Sequence, residues 1–213
     1  MKKLDIRSVL IGVLCTALVF VLIGAKSQSG NLGDIVVNSI KVLDENGNVA
    51  GVMSAGESGG VIGVFNDDGI PVAGLSADEY GGTIGVYNND GKVAILMGSV
   101  DLGSRIDVYN NDGKAAITMG ASDLGGGIDV YNNDEKAAIT MKAADLGGVI
   151  GVFNAVAKTV VGISATSGYG GEIVVFNKYG KEVAQLQAGK TSDGVIGLYD
   201  RNGELVWGKT GKQ

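Results

Sequence analysis

Seven aromatic residues recur at intervals of 22 or 23: Phe65, Tyr87, Tyr109, Tyr131, Phe153, Phe176 and Tyr199. All but the last precede an asparagine, giving Asn66, Asn88, Asn110, Asn132, Asn154 and Asn177. Flat rings at a fixed spacing are suited to stacking on sugar rings or to contact with a partner fibre, and a neighbouring carboxamide would bond hydroxyl groups. The same columns have a structural reading. The rings would pack under adjacent turns or between chains, and the asparagines of stacked units would bond one another in a ladder. Sequence alone leaves both readings open.

Acids cluster just after these residues, at Asp67, Asp68, Asp90, Asp112 and Asp134, with Asp44, Glu45 and Asn46 at the corresponding place nearest the amino terminus. Calcium requires about six to eight oxygen ligands, which stacked Asn and Asp would supply. Yet Asn and Asp serve turns without any metal, because their side chains bond the nearby backbone. The spacing of the glycine–aspartate calcium nonapeptide is absent. A glycosidase needs one singular carboxylate pair, whereas these acids recur with the turns.

The chain has no His and a single Cys, Cys15. Thiolate–imidazole zinc sites, Cys–His nucleophiles and Ser–His–Asp triads are therefore excluded, as is any disulfide within one chain. Neither a phosphate loop nor a glycine fingerprint opening a helix occurs. Thr118 and Thr140 are the only threonine pair in their column, so an ice-matching array is missing. No catalytic residue, metal or cofactor is expected.

The elements that must position these columns follow from a repeat anchored on Ile40, Ile62, Ile84, Ile106, Ile128, Ile150, Ile173 and Ile196. A fixed period of this size marks units that complete their packing with their neighbours. Within each unit the pattern Ile-x-Val-aromatic-Asn alternates, which is a strand of period two with Ile and Val on one face and the ring on the other. Glycine follows at Gly47, Gly69, Gly91, Gly113, Gly180 and Gly203, where a tight turn needs positive φ. Glu135 and Ala157 occupy that column in two units and must relax the turn or adopt the strained conformation. A second strand then runs medium, large, small, as in Ile95, Met97 and Ser99.

The expected fold is an all-β repeat protein of eight units, read first as a β-solenoid in which like residues stack coil upon coil. The alternative is an antiparallel β-meander whose chains associate into a trimeric β-prism stalk, favoured by the Asn-Asp-Gly hairpin signal. The pattern resembles β-solenoid and phage-fibre repeats in architecture only. Trp207, Lys209 and Lys212 read as a cap on the last unit.

Ahead of the repeats, residues 1–7 form a basic start and residues 8–25 an expected transmembrane signal anchor. Residues 26–34 are a linker, and residues 35–213 an extracytoplasmic β-repeat domain. The run Val9–Ala25 contains no charge, and basic residues before it would keep the amino terminus in the cytoplasm. A cleaved signal peptide competes, although bulky Ile23 sits at the −3 position of the best cleavage point after Ala25. The expected placement is the bacterial inner membrane, single-pass, with the repeats periplasmic or extracellular.

Setting aside Lys2, Lys3, Asp5, Arg7 and Lys26 leaves 13 basic against 22 acidic residues, a net charge of −9. Such a domain is a poor partner for nucleic acid. The expected partners are the lipid bilayer through residues 9–25, further copies of the chain, and a polysaccharide or an envelope protein. The expected role is structural, scaffolding or adhesive, with carbohydrate binding by the aromatic and Asn stripe as the alternative.

Overall fold

The computed structural model describes residues 5–24, 36–101, 103–123, 125–144, 147–165, 170–189 and 193–211, without the side chains of residues 20–24 and 144. Lys2, Lys3, the linker at 26–34 and Lys212 lie outside the described residues. Two units are distinguished, residues 1–37 and 38–213.

The first unit holds one helix, α1 (Ile6–Gly24). Its start is capped by Asp5, whose carboxylate accepts hydrogen bonds from the Arg7 amide at 3.1 Å and the Ser8 hydroxyl at 3.1 Å. The expected transmembrane span is not supported: among the described residues no helix is long and apolar enough to cross a membrane.

The second unit is all β. Its strands are β1 (Ser39–Leu43), β2 (Val49–Gly56), β3 (Gly59–Phe65), β4 (Pro71–Asp78), β5 (Gly81–Tyr87), β6 (Val93–Val100), β7 (Gly103–Tyr109) and β8 (Ala115–Ser122). They continue as β9 (Gly125–Tyr131), β10 (Ala137–Ala144), β11 (Gly147–Phe153), β12 (Thr159–Ala165), β13 (Gly171–Phe176), β14 (Glu182–Ala188), β15 (Gly194–Tyr199) and β16 (Leu205–Thr210). All sixteen form one sheet in sequence order, each strand hydrogen-bonded to its chain neighbours. Every pairing is antiparallel, as in Ile62 opposite Leu75 and Leu75 opposite Ile84.

The repeat and the all-β class are as the sequence indicates, and the connectivity is that of the meander. In the solenoid reading each isoleucine would lie opposite the isoleucine of the next unit. Here it lies opposite the large residue of the second strand instead, for example Met97 opposite Ile106 and Ile106 opposite Met119.

Two kinds of hairpin alternate. At one edge two-residue connections join the strands from β2 to β11, with Gly56 opposite Gly59 and Asp78 opposite Gly81, and five-residue connections join β12 to β13 and β14 to β15. At the other edge the Asn-Asp-Gly segments form longer loops, each followed by a register shift such as that between Val64 and Phe65. Gly69 there has φ of 75°, and its amide donates to the Asn66 carbonyl at 2.9 Å. That is a type I turn followed by a left-handed residue and a bulge. Glu135 and Ala157 take the same place with φ of 59°, so their turns hold the strained conformation rather than relaxing.

The sheet is one layer. Among the described residues the only buried apolar side chain is Val174, 8% exposed, and the only buried charged one is Asp107, 3% exposed. No core lies between layers. What cover exists comes from within the single sheet.

Candidate functional site

Strand alternation gives the sheet two unlike faces. One carries the isoleucine anchors and the large, medium and small columns, and is called the apolar face below. The opposite face carries the aromatic column, and its central row passes from Lys41 through Val52, Gly63, Gly74 and Gly85 to Leu96 and Asp107. Glycine dominates that row.

The rings use the space those glycines leave. A methyl added at Gly63 would stand 3.2 Å from the Phe65 ring, and one at Gly151 would stand 2.9 Å from that of Phe153. At Gly85 and Gly197 it would stand 2.6 Å and 2.9 Å from the hydroxyls of Tyr87 and Tyr199. Each ring therefore folds back along its own strand and lies over the glycine two positions earlier. Phe176 instead approaches Gly162 on β12, at 3.9 Å from the same virtual methyl. All seven rings are half-buried. The five rings beside these glycines pack on the sheet's own backbone.

The asparagines have a different job from the expected ladder. The Asn66 side-chain oxygen accepts from the amides of Asp68 at 3.1 Å and Ile70 at 2.8 Å. Asn88, Asn110, Asn132, Asn154 and Asn177 repeat this pair of bonds within their own turns. Asp44 and Asp200 do the same with a carboxylate oxygen. A side-chain ladder needs units about 4.8 Å apart, but turns on one edge of a meander are two strands, roughly 9.6 Å, apart. Longer reaches bridge that gap: Lys92 and Lys114 donate to the carbonyls of Asn111 and Asn133 at 3.4 and 2.9 Å, and the Asn177 amide donates to the Arg201 carbonyl at 3.0 Å.

In the centre of the sheet the glycine row is interrupted. Asp107, Thr118, Asp129 and Thr140 face one another across β7 to β10. Asp107 accepts from the Thr118 hydroxyl at 2.8 Å and pairs with Arg105 at 2.6 Å. Asp129 accepts from the Thr140 hydroxyl at 2.6 Å and pairs with Lys142 at 3.3 Å. Burial, and secondarily the Asp107 carboxylate, push the Tyr109 phenol above its ordinary range. The two acids are the singular residues of the repeat. Their signal lay in the column between the anchor and the valine: Lys41, Gly63, Gly85, Asp107, Asp129, Gly151, Val174 and Gly197.

Each of these carboxylates already has a cation and a hydroxyl as partners, an arrangement that cross-links strands without requiring a ligand. Among the described residues no group of three or more His, Cys, Asp or Glu is placed to hold a metal ion. No protein-family model matches the chain, and no curated protein matches it in sequence.

Proposed function

We propose that the chain is a non-enzymatic structural protein of a bacterial cell envelope, a scaffold or adhesive element whose exported part is the repeat sheet. The observation that carries the reading is the commitment of the polar side chains to architecture. Asparagines hold their own turns, and the central acids join neighbouring strands. A protein that recurs unit by unit, with its reactive groups used in this way, supplies length and surface.

The uncharged run Val9–Ala25 behind Lys2, Lys3 and Arg7 supports export and attachment to the inner membrane, with the repeats on the far side. Full-length protein should then pellet with inner-membrane vesicles, resist extraction by carbonate and be released by detergent. Recovery in the soluble fraction overturns the attachment.

Carbohydrate binding stays as the second reading at one place. Tyr109 and Tyr131 stand two residues from Asp107 and Asp129, so at the centre of the sheet two half-buried rings adjoin charged groups, as the single ring of Tyr199 adjoins Glu182 farther along. Replacing both tyrosines by Ser separates the readings. If the rings are structural, the melting temperature falls, because half-buried aromatic area is lost, and retention on envelope polysaccharide is unchanged. Loss of retention with an unchanged melt would establish the glycan reading instead.

A further inference from the structure

Among the described residues nothing covers the apolar face. Ile84 is 42% exposed and Met97 41%, with comparable neighbours on β1–β6, β10 and β12–β15, while Ile106, Met119, Ile128 and Ile150 between them are half-buried. Sixteen strands at about 4.8 Å, with three inward positions about 6.7 Å apart on each, give a face of roughly 1,500 Å². The largest apolar patch on a typical monomer is about 300–600 Å², and a standard interface covers about 800 Å² per partner. One layer without a core also leaves little to offset the ordering of its backbone. The face is therefore large enough to need a partner, and a regular repeat offers the same surface on every copy.

The profile of side chains across the strands says how copies meet. Mid-strand positions are large, as at Ile84 and Met97, while nearer the Asn-Asp-Gly edge Val64 and Val86 lie opposite residues that run from Gly51 and Ala73 up to Ile95. Near the two-residue turns they are small, as in Ser99 opposite Ser104 and Ala121 opposite Gly126. Two sheets in a sandwich lie a uniform distance of about 10 Å apart, which asks for even side-chain size across the width. Three sheets about 24 Å wide, set as a triangular prism, instead leave roughly 7 Å from mid-strand to the axis and pinch at the corners. The tapered profile fits the prism.

We propose that three copies of this chain cover one another's apolar faces, forming a closed, parallel homotrimer with the Ile and Met row on its axis. A cyclic threefold assembly whose axis runs along the row is necessarily parallel. Lys209, opposite Ile196 at the far edge, ends the apolar row with a charge and blocks end-on extension of the sheet. This deepens the structural reading by naming the partner.

The test uses the full chain in mild detergent. Sedimentation should give three times the 21.6 kDa chain mass. Met97 and its neighbour Leu96 occupy opposite faces of β6, so Met97→Lys should reduce the mass threefold, while Leu96→Lys should leave it unchanged. Because Met97→Lys risks unfolding, Met53→Cys in a Cys15→Ser background gives an independent reading. A parallel trimer sets the three introduced thiols around the axis with their backbones about 12 Å apart, beyond disulfide reach, so a short thiol-reactive bismaleimide should link chains without any second cysteine.

A monomer, a dimer, or a Met53→Cys variant that links only to a Leu186→Cys partner overturns the proposal. None of these outcomes touches the fractionation or polysaccharide results, so the two readings fail separately.

Discussion

The two faces of this sheet share a backbone and differ in how they are covered. On the ring-bearing face, Gly85 is buried and Tyr87 half-buried because the ring folds back along its own strand. On the apolar face, Ile84 and Val86 of the same strand stand 42% and 40% exposed. Hydrophobicity alone would reverse that order. In a single layer, however, cover comes only from groups that can lie down on the sheet. A planar ring beside a glycine can do so, whereas a branched aliphatic chain stands upright and waits for another layer. One face is covered from within the chain, and the other is left open by it.

That contrast makes the effect of a substitution depend on its face: changes to the ring face or the turns should alter stability and leave the number of chains unchanged. After the Met97→Lys test, the largest effect of this kind is expected at Asp107. Asp107→Ala leaves Arg105 without its partner and Thr118 without its acceptor beside a site only 3% exposed. The expected loss is about 2–3 kcal/mol, reduced from the fully buried case because Arg105 is half in solvent. Asp129→Ala should lose only about 1 kcal/mol, since its side chain is more exposed and its ion pair longer. Denaturant titration measures both. Equal losses, or a change of mass in either, would break the distinction between the faces.

A smaller and opposite effect belongs to the turns. Ala157 holds φ of 59° where other units have glycine, at a cost of about 1 kcal/mol for an L-residue. Ala157→Gly should therefore raise stability by up to about 1 kcal/mol, the benefit being trimmed by the added freedom of the unfolded chain. The mass should stay the same. A melt that falls would mean the side chain makes contacts that outweigh the strain.

Much of this was legible in the sequence. The period-two columns place every strand, and the glycine column marks Glu135 and Ala157 as the turns that must either relax or hold the positive φ they are found to have. Strand pairing was less legible, because an alternating strand looks the same in a parallel coil and in an antiparallel hairpin. Asn-Asp-Gly carried the deciding information, through a turn that reverses the chain. The uniform asparagines suggested a ladder, yet Asn66 and its counterparts recur because each turn needs the same internal acceptor. Asp107 and Asp129 escaped notice for the opposite reason: aligning repeats draws the eye to columns that agree, and these two residues matter where a column disagrees. What covers Ile84 and Met97 is not written in one chain's local pattern at all.

The smallest effect compares the terminal turns with the inner ones. Asp44 and Asp200 stand where inner units have asparagine, and backbone amides hold both carboxyls below their ordinary range, led by those of Asn48 and Glu204. A carboxyl with a lowered folded-state pKa contributes stability that is complete above its unfolded value, about 3.9, and is lost as pH falls through the folded value. Acidification below about pH 4 should thus loosen the β1–β2 and β15–β16 hairpins, while the turn at Asn110, whose accepting side chain is an uncharged carboxamide, keeps its bonds. Amide exchange, corrected for intrinsic rates, checks this by comparing the amides of Asn48 and Glu204 with that of Lys114 at pH 5 and pH 2.5. Protection should fall at the first two and hold at the third, and Asp44→Asn should abolish the fall at Asn48. Equal loss at all three would mean that acid acts on the sheet or the assembly as a whole, and not through the turns.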